Sequence, residues 1–423
     1  MSISPITPTA SPGRVARALA SLSVFRDPNY RWYWACSFAY YVGFHMEMTA
    51  RAQLAYDLTG QAFMLGLAAL SQGLPSSLMS IMGGALADRF PKRTMLLFAQ
   101  SVLALSGILM FVLLATDMIE FWHVLAIGAI RGLNQGFSMP ARLSMVSEVV
   151  EEEHFLKAYG FYYIALNTMR IGGPAIAGTL IGLTGGSTLA FLIIGIAHIV
   201  GFFALLPVFS RKKAGPKEGR GTSILQDVGG MFSFAWHTPT IMVLLGAEMG
   251  ITFFAMAATP LLPVFADRVF KAPHGVGLAM LQGAQGVGGL IGSMTITAFS
   301  GIKRKPLMLL CVGVCQGLSL ILFSNMPVFS LAVATIGFVG FSQACYTTLN
   351  STLFQVNAPP GMRGRAMSLY LLGNSAQPLG ALPIGYFGDI IGVQAIVTIT
   401  ASLLIGYMVG VAFLFPAFRK QKV

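Results

Sequence analysis

Charged residues are scarce in this 423-residue chain: Asp, Glu, Lys and Arg together make up 10 %, against about 25 % in soluble proteins. A soluble domain could not cover its surface with so few charges, so the composition excludes one. Cysteine is also rare, and the four that occur all fall inside apolar stretches, which favours small buried hydrophobes over disulfides or a metal site. Residues 1–30 lack the apolar core of a signal peptide, so we expect no cleaved signal.

Long apolar runs take the place of charge, and 55 % of the residues are hydrophobic. A helix needs about twenty apolar residues to span a bilayer, and twelve runs of roughly that length occur. They form predicted helices 1 to 12, at about 31–55, 61–86, 94–116, 121–143, 157–183, 187–209, 238–262, 275–299, 306–325, 328–352, 366–388 and 391–416. Lipid offers no partners to backbone groups, so the segments must satisfy their own hydrogen bonds as helices. We therefore predict an all-α membrane protein with twelve transmembrane helices.

The predicted helices divide into two groups of six at Ser210–His237, the longest break between them. This predicts a cytoplasmic tail (1–30), an N-terminal bundle (31–209), a cytoplasmic linker (210–237) and a C-terminal bundle with a short basic tail (238–423). The two groups look like copies, because three features recur 211 positions apart. These are Pro28 with Pro239, Gly66–Leu70 with Gly277–Leu281, and Lys92-Arg93 with Lys303-Arg304. Such a repeat is typical of secondary transporters, whose binding site lies between two pseudo-symmetric bundles near the bilayer midplane.

The positions of the basic residues predict the orientation in the membrane. If the N-terminus is inside, the inner segments hold 22 of the 27 Lys and Arg residues, and the outer loops hold two. Basic residues concentrate on the cytoplasmic side of membrane proteins, so we predict that both termini lie in the cytoplasm and that the protein resides in the cell's inner membrane. The same placement explains the net charge of +12 by contact with anionic lipid, without nucleic acid as a partner.

Five charged residues remain inside predicted helices, where each costs about 2.5–3.5 kcal/mol on insertion scales. They are Glu47, Arg51, Arg131, Arg170 and Glu248. Each belongs to a polar or aromatic stripe at helical spacing, and similar stripes run along predicted helices 10 and 11. Their further members include Tyr40, Gln135, Asn167, Gln343, Asn350, Asn374 and Gln377. Lipid opposes such stripes, so we expect them to face a wet central cavity that binds a small-molecule substrate.

The two acids are candidates for carrying a coupling proton. Glu47 and Glu248 would each release a proton when exposed to water and hold it when buried, and an arginine would pair with whichever acid is ionised. The alternative is a static ion pair that only orders the helices. Glu47 and Arg51, four residues apart, fit such a local pair. If Glu47 carries the proton, Glu47→Gln abolishes proton-driven transport and leaves folding intact.

One short inner loop concentrates charge after an uncharged run of more than twenty residues. The stretch "GGALADRFPKR", Gly83–Arg93, resembles the signature loop of the major facilitator superfamily, with Pro91 in place of the usual glycine. The residues that match the signature include Gly84, Asp88, Arg89, Lys92 and Arg93. The resemblance implies that the Asp and Arg latch the two bundles together and hold the inner gate shut when the outside is open. The family also implies that helices 1, 4, 7 and 10 line the cavity.

Two further elements strengthen the resemblance. The stretch "GGPAIAG" is similar to the helix-5 element of antiporters, through Gly173, Pro174 and Gly178, although Met169 stands where an earlier glycine is usual. "RGLNQGF", which begins at Arg131, resembles the family's helix-4 element. Prolines in predicted helices 5 and 11 are expected to permit bending; they are Pro174, Pro378 and Pro383.

The sequence most resembles the drug and siderophore exporter branch of this superfamily, through "YDLTGQAFMLGL" and "MRGRAMSLYLLGNSAQPLGALPIGYFGD". The resemblance implies a monomeric, proton-coupled exporter of a small organic molecule, with no bound cofactor. "GPKEGRGTS" lacks the Lys-Ser/Thr pair of a phosphate-binding loop, which argues against ATP as the energy source, and no catalytic constellation indicates an enzyme. A nutrient importer or facilitator on the same fold, a lipid flippase and a non-transporting receptor remain as alternatives.

Overall fold

Twelve long helical segments account for most of the chain. The computed structural model describes residues 22–211, 233, 235–298, 304–359 and 362–421, and these residues include no β-strand. The segments are α1 (Pro28–Thr59), α2 (Ala62–Arg89), α3 (Lys92–Ala115), α4 (Phe121–Val149), α5 (Phe155–Thr184), α6 (Thr188–Leu205), α7 (from Pro239), α8 (Val276–Ala298), α9 (Lys305–Ser324), α10 (Phe329–Asn357), α11 (from Arg363) and α12 (Val393–Leu414). Each coincides with one predicted helix, which confirms the twelve-helix, all-α fold.

Helices α7 and α11 are interrupted, whereas the apolar runs predicted them to be continuous. The regular part of α7 ends at Phe254, and the chain continues through a 3₁₀ turn, Met256–Leu261, and a π turn that ends at Val269. Two prolines, Pro260 and Pro263, lie in this segment and cannot donate backbone hydrogen bonds.

Helix α11 consists of α11a (Arg363–Asn374) and α11b (Ala376–Ile391), separated at Ser375. Pro378 lies four residues after Asn374, so it cannot donate to the Asn374 carbonyl, and its ring would clash with that group in a continuous helix. The break at Ser375 therefore lies beside the carbonyl that this proline leaves without a donor.

The helices pack as two bundles of six. In the first bundle α2 packs on α4, α3 on α6, and α1 on both α5 and α6; in the second, α8 packs on α10, α9 on α10 and α12, and α7 on α11. The bundles meet where α2 contacts α11b and where α5 contacts α8. Helices α1 and α7 both begin on a proline, Pro28 and Pro239, which matches the repeat seen in the sequence. Because the Asp27 side chain caps α1 at the Asn29 amide (3.0 Å), this helix starts before the predicted boundary at residue 31.

Seven of the described helices are long and apolar enough to cross a membrane by length and composition alone: α2, α3, α6, α7, α9, α10 and α12. Three of the others, α1, α4 and α5, carry four of the five charges inside predicted helices, namely Glu47 and Arg51, Arg131, and Arg170. Large apolar side chains lie exposed on the outside of both bundles, such as Leu105, Phe203 and Leu403. A surface of this kind suits contact with lipid.

Helix α4 extends to Val149, beyond the end predicted at residue 143. Arg142, one residue before the predicted end, therefore lies well inside this helix. Its guanidinium is fully buried, with Cζ 3.7 Å from the centre of the Tyr40 ring. The ring face stabilises the cation and allows the helix to continue past it. Two of the cysteines expected to be buried, Cys311 and Cys315, are instead exposed, while Cys36 and Cys345 are buried.

Glycines allow neighbouring helices to touch along their backbones. A Cβ added to Gly288 of α8 would lie 1.8 Å from the Gly337 carbonyl oxygen of α10, and one on Gly292 would lie 2.3 Å from that of Phe341. The Gly288-x-x-x-Gly292 pair therefore lets α8 and α10 pack closely.

We expect Gly288→Ala to lower the stability of the fold by about 1–3 kcal/mol, because the added methyl group forces α8 and α10 apart. The matched control is Gly283→Ala in the same helix, where a Cβ meets no atom within 4 Å. Both changes give the same gain in helix propensity, so thermal unfolding in detergent isolates the packing cost. Equal melting temperatures for the two variants would contradict this account of the α8–α10 contact.

Candidate functional site

A cavity of about 730 Å³ lies between the two bundles. Residues of α1, α2, α4 and α5 line one side, and residues of α7, α8 and α11 line the other. We call the end of the molecule where α1 begins the terminal face, and the other end the opposite face. Ser80, Leu143 and Tyr162 line the part nearer the terminal face, and Leu65 and Ala381 line the part nearer the opposite face. Among the described residues, the cavity lining therefore runs from the first turn of α2 toward the terminal face.

Contacts between the bundles close the opposite face. The Asp389 carboxylate of α11b accepts hydrogen bonds from the backbone amides of Ala62 and Phe63, each 2.8 Å long, at the start of α2. The positive end of a helix dipole stabilises an acid in this position. On the α5–α8 side, a Cβ on Gly178 would lie 2.3 Å from the Ala279 Cβ, so the two helices touch there.

Glu47 lies between two arginines, one side chain behind the cavity wall. Its Oε1 is 2.8 Å from Nε of Arg51 and 3.4 Å from Nε of Arg131, and both Glu47 and Arg131 are buried. These are ion pairs rather than aligned hydrogen bonds, and Glu47 Oε2 has no hydrogen-bond partner among the described residues. Arg51 itself lines the cavity, where it donates to the Ala68 carbonyl (2.7 Å) and to Gln72 Oε1. The Glu47–Arg51 pair predicted from the sequence therefore gains a third member, Arg131 of α4.

Glu248 occupies a contrasting, neutral environment in the second bundle. It is fully buried, and its Oε2 accepts a hydrogen bond from the Asn350 amide of α10. Gly373 of α11a packs against it, since a Cβ there would lie 2.7 Å from Glu248 Cγ. Among the described residues no arginine or lysine forms an ion pair with this carboxylate. The sequence suggested an arginine partner for either acid, and the structure provides arginine partners only to Glu47.

The remaining predicted residues divide between the cavity and the surrounding packing. Gln135, Asn374 and Gln377 line the cavity, whereas Tyr40 is buried under Arg142. Three other predicted residues do not line the cavity. Asn167 donates to the Tyr163 carbonyl of its own helix, Arg170 lies exposed beside α8 near Gly289, and Gln343 accepts a hydrogen bond from Gln285 (3.1 Å). The expectation that all the stripes face one cavity is therefore met only in part, because each helix is rotated by its own packing.

The two interrupted helices meet at the cavity wall. Thr259 and Pro260 of the irregular part of α7 line it, and so does Pro378 of α11b. Gln377 donates from Nε2 to the Met256 carbonyl (3.1 Å), a group in the 3₁₀ turn of α7. Unwound backbone is tolerated at membrane depth where it borders a cavity and where side chains satisfy the freed groups.

Sequence reasoning missed the contribution of α2. Gln72, Ser76 and Ser80 line the cavity at intervals of four residues, which places them on one face of the helix. This spacing could have predicted that α2 lines the cavity. Serine is a weak indicator, however, because its hydroxyl commonly bonds to the backbone of its own helix. Tyrosines from α1 and α5 add an aromatic wall, formed by Tyr41, Tyr162 and Tyr163.

The residues of the two family motifs take up packing and ion-pair positions. Lys92 forms an ion pair with Glu148 at the end of α4, and Arg93 donates to the Leu206 carbonyl at the end of α6, where the helix dipole favours a cation. The surroundings of Gly84 and the side chains of Asp88 and Arg89 lie outside what the structure describes, so the latch stays a prediction.

The helix-5 motif lies at two helix contacts. A Cβ on Gly173 would be 2.5 Å from the His45 Cβ of α1, and Gly178 meets α8 of the other bundle. Pro174 lies buried between them inside a continuous α5, so this proline does not interrupt its helix.

Two six-helix bundles with broken helices around a central cavity define a membrane transporter of the major facilitator fold. Solved structures share it: a peptide transporter of the POT family, in complex with alafosfalin, aligns with a TM-score of 0.75 over 92 % of this chain and 95 % of its own, at 12 % identity. The nucleoside transporter NupG aligns with a TM-score of 0.70 over 92 % of this chain and 99 % of its own, at 16 % identity. At these identities the likeness concerns the fold alone.

The chain belongs to the transmembrane secretion effector family of this superfamily, whose model matches residues 19–423. A staphyloferrin A transporter of Staphylococcus aureus is 23 % identical, over 86 % of this chain and 90 % of the relative. An enterobactin exporter of Citrobacter koseri is 27 % identical over 80 % and 77 %, and macrolide efflux protein A of Streptococcus pyogenes is 24 % identical over 82 % and 86 %. The resemblance to siderophore and drug exporters is confirmed: the protein is a multi-pass membrane transporter, not an enzyme.

Proposed function

We propose that this protein exports a small organic molecule in exchange for protons, by alternating access. The observation that carries the proposal is a cavity between the bundles, lined by residues of both, beside contacts that close the opposite face. The basic segments favour a cytoplasmic position for the terminal face. In that orientation, a protein whose opposite face is closed loads its substrate from the cytoplasm. The names of the relatives support export. Alternating access then follows from rocking of the bundles about their contacts.

Glu47 and Glu248 are the proposed proton carriers. Both lie one side chain behind the cavity, so a small rearrangement brings either to water. Glu47 is bound to Arg51, which itself faces the cavity, so a substrate that engages Arg51 would loosen its hold on the acid. Glu248 is surrounded by neutral groups, so its charge must be neutralised by a proton when water is excluded. In this scheme the proton gradient is the only energy source.

The chemistry of the cavity narrows the substrate class. Arg51 is the charged side chain in its lining, and the described lining residues include no carboxylate. Amides, hydroxyls and tyrosine rings supply the other contacts. A volume of about 730 Å³ suits a drug-sized molecule. We propose a neutral or anionic solute with many hydrogen-bonding groups and some aromatic surface, in preference to a cation.

Everted membrane vesicles test the transport direction and the coupling. We expect an imposed gradient, acidic inside, to drive uptake of substrate candidates into these vesicles, and an uncoupler to abolish it. Vesicles without the protein are the control. Uptake that runs only down the solute's own gradient, with no effect of the uncoupler, would identify a facilitator instead.

We expect Ser76→Trp to reduce transport by at least about tenfold, because the indole fills part of the cavity. The matched control is Leu78→Trp, two residues further along α2, where the side chain is 59 % exposed on the outer surface. Both variants should unfold at the wild-type temperature. Full activity of Ser76→Trp would show that substrate does not pass through this cavity.

A further inference from the structure

A cluster of metal-ligating side chains joins the two bundles at the opposite face. Asp57 lies near the end of α1, Asp267 lies in the π turn that ends α7, and His274 lies just before α8. His274 Nε2 is 3.6 Å from Asp57 Oδ2, and its Nδ1 is 3.3 Å from Asp267 Oδ2. One ligand atom from each residue can be chosen so that all three lie within 4.8 Å of one another. The cluster takes one acid from the first bundle, and an acid and a histidine from the second.

A buried glutamine lies against both acids. Gln53 is fully buried, and its Nε2 donates to Asp57 Oδ1 (3.0 Å) and to Asp267 Oδ2 (2.8 Å). Its Oε1 is buried without any hydrogen-bond partner among the described residues, as is Asp267 Oδ1. Rotating the terminal amide of Gln53 by half a turn exchanges its nitrogen and oxygen. Oε1 would then point at both carboxylates, a position that a cation between them would stabilise.

We propose that Asp57, Asp267 and His274 form a binding site for a divalent transition metal ion of the zinc class, with Gln53 Oε1 or water as the fourth ligand. Zn²⁺ accepts carboxylate oxygen and imidazole nitrogen in tetrahedral sites, where ligand atoms lie about 3.4 Å apart. The three ligand atoms lie within 4.8 Å of one another, so binding requires the partly exposed His274 and Asp57 side chains to rotate toward Asp267. Mg²⁺ and Ca²⁺ require six or more oxygen ligands, so the histidine selects against them.

The ion would act as a clasp on the opposite face. Its ligands come from both bundles, so the complete site exists only while this face is closed. A ligand that binds one conformation better shifts the population toward it. Bound metal therefore holds the bundles in the form described here and opposes opening of this face. The inference goes beyond the proposed function and holds for any solute that the protein carries.

Binding of Zn²⁺ to the purified full-length protein in detergent is the first test. We expect titration calorimetry to detect one site that His274→Ala and Asp267→Asn each weaken by at least about tenfold, since even loss of an outer-shell partner costs that much. The matched control is His154→Ala. His154 belongs to a second cluster, with Glu151 and Glu153, that lies entirely within the first bundle. Unchanged Zn²⁺ affinity in both variants of the bridging cluster would overturn the site.

The second test measures whether the ion holds the bundles together. Spin labels are attached at Met118 in the first bundle and Val328 in the second, both exposed at the opposite face, in a background without the native cysteines. We expect Zn²⁺ to leave mainly the short component of the distribution of distances between the two labels. His274→Ala should remove this effect of Zn²⁺. Metal binding that leaves the distribution unchanged would show an adventitious surface site and overturn the clasp.

Discussion

Glu248→Gln is expected to abolish gradient-driven transport while the fold persists. Glutamine keeps an oxygen that can accept the hydrogen bond from Asn350, and it has nearly the same volume as glutamate. We expect the free energy of unfolding to change by less than about 1.5 kcal/mol, because the exchange conserves volume and removes no partner. Transport under a proton gradient should fall to the level of empty vesicles, since the neutral amide cannot bind and release a proton.

Exchange of substrate across the membrane without a gradient separates coupling from binding. It should continue in Glu248→Gln, because the residue lies behind the cavity wall rather than in it. Asn350→Ala serves as the control: it removes the hydrogen bond but keeps the carboxylate, so proton-driven transport should persist. Gradient-driven transport at the wild-type rate in Glu248→Gln would exclude this acid as a proton carrier.

Glu47→Gln is expected to lose transport and also to destabilise the protein. The change leaves the Arg51 and Arg131 guanidinium groups beside each other, with no other carboxylate paired to them among the described residues. Removing one partner of a buried ion pair costs about 3–5 kcal/mol. The sequence alone suggested that folding would stay intact, and the second arginine changes that expectation. Thermal unfolding in detergent measures the loss.

A double variant tests the cause of the destabilisation. Adding Arg131→Gln to Glu47→Gln removes the deeper cation, and leaves Arg51 with the Ala68 carbonyl, Gln72 and the cavity. We expect this double variant to recover at least about half of the lost stability but no transport. Wild-type stability of Glu47→Gln by itself would show that the two arginines do not depend on this acid.

Hydrophobic runs located the helices well, because the need to span the bilayer is a local property of the chain. The ends of α2, α3 and α5 lie within three residues of the predicted positions. The prolines were a poorer guide to where helices break. Pro75, Pro140 and Pro174 lie inside continuous helices, whereas α7 and α11 are interrupted. The break in α7 is stabilised because Gln377 of α11b donates a hydrogen bond to the freed Met256 carbonyl. No spacing rule along the sequence predicts that partner.

The sequence by itself determined that this protein lies in the membrane, crosses it twelve times and consists of two related halves. Each of those properties depends on composition or on a repeat along the chain. Only the tertiary structure decided that Glu47 meets Arg131, that Glu248 meets Asn350, and that Gln53 joins acids from both halves. Helical spacing groups side chains on one helix, but the rotation of that helix is set by packing against its neighbours. Residues far apart in sequence become partners through that rotation, and their chemistry follows from it.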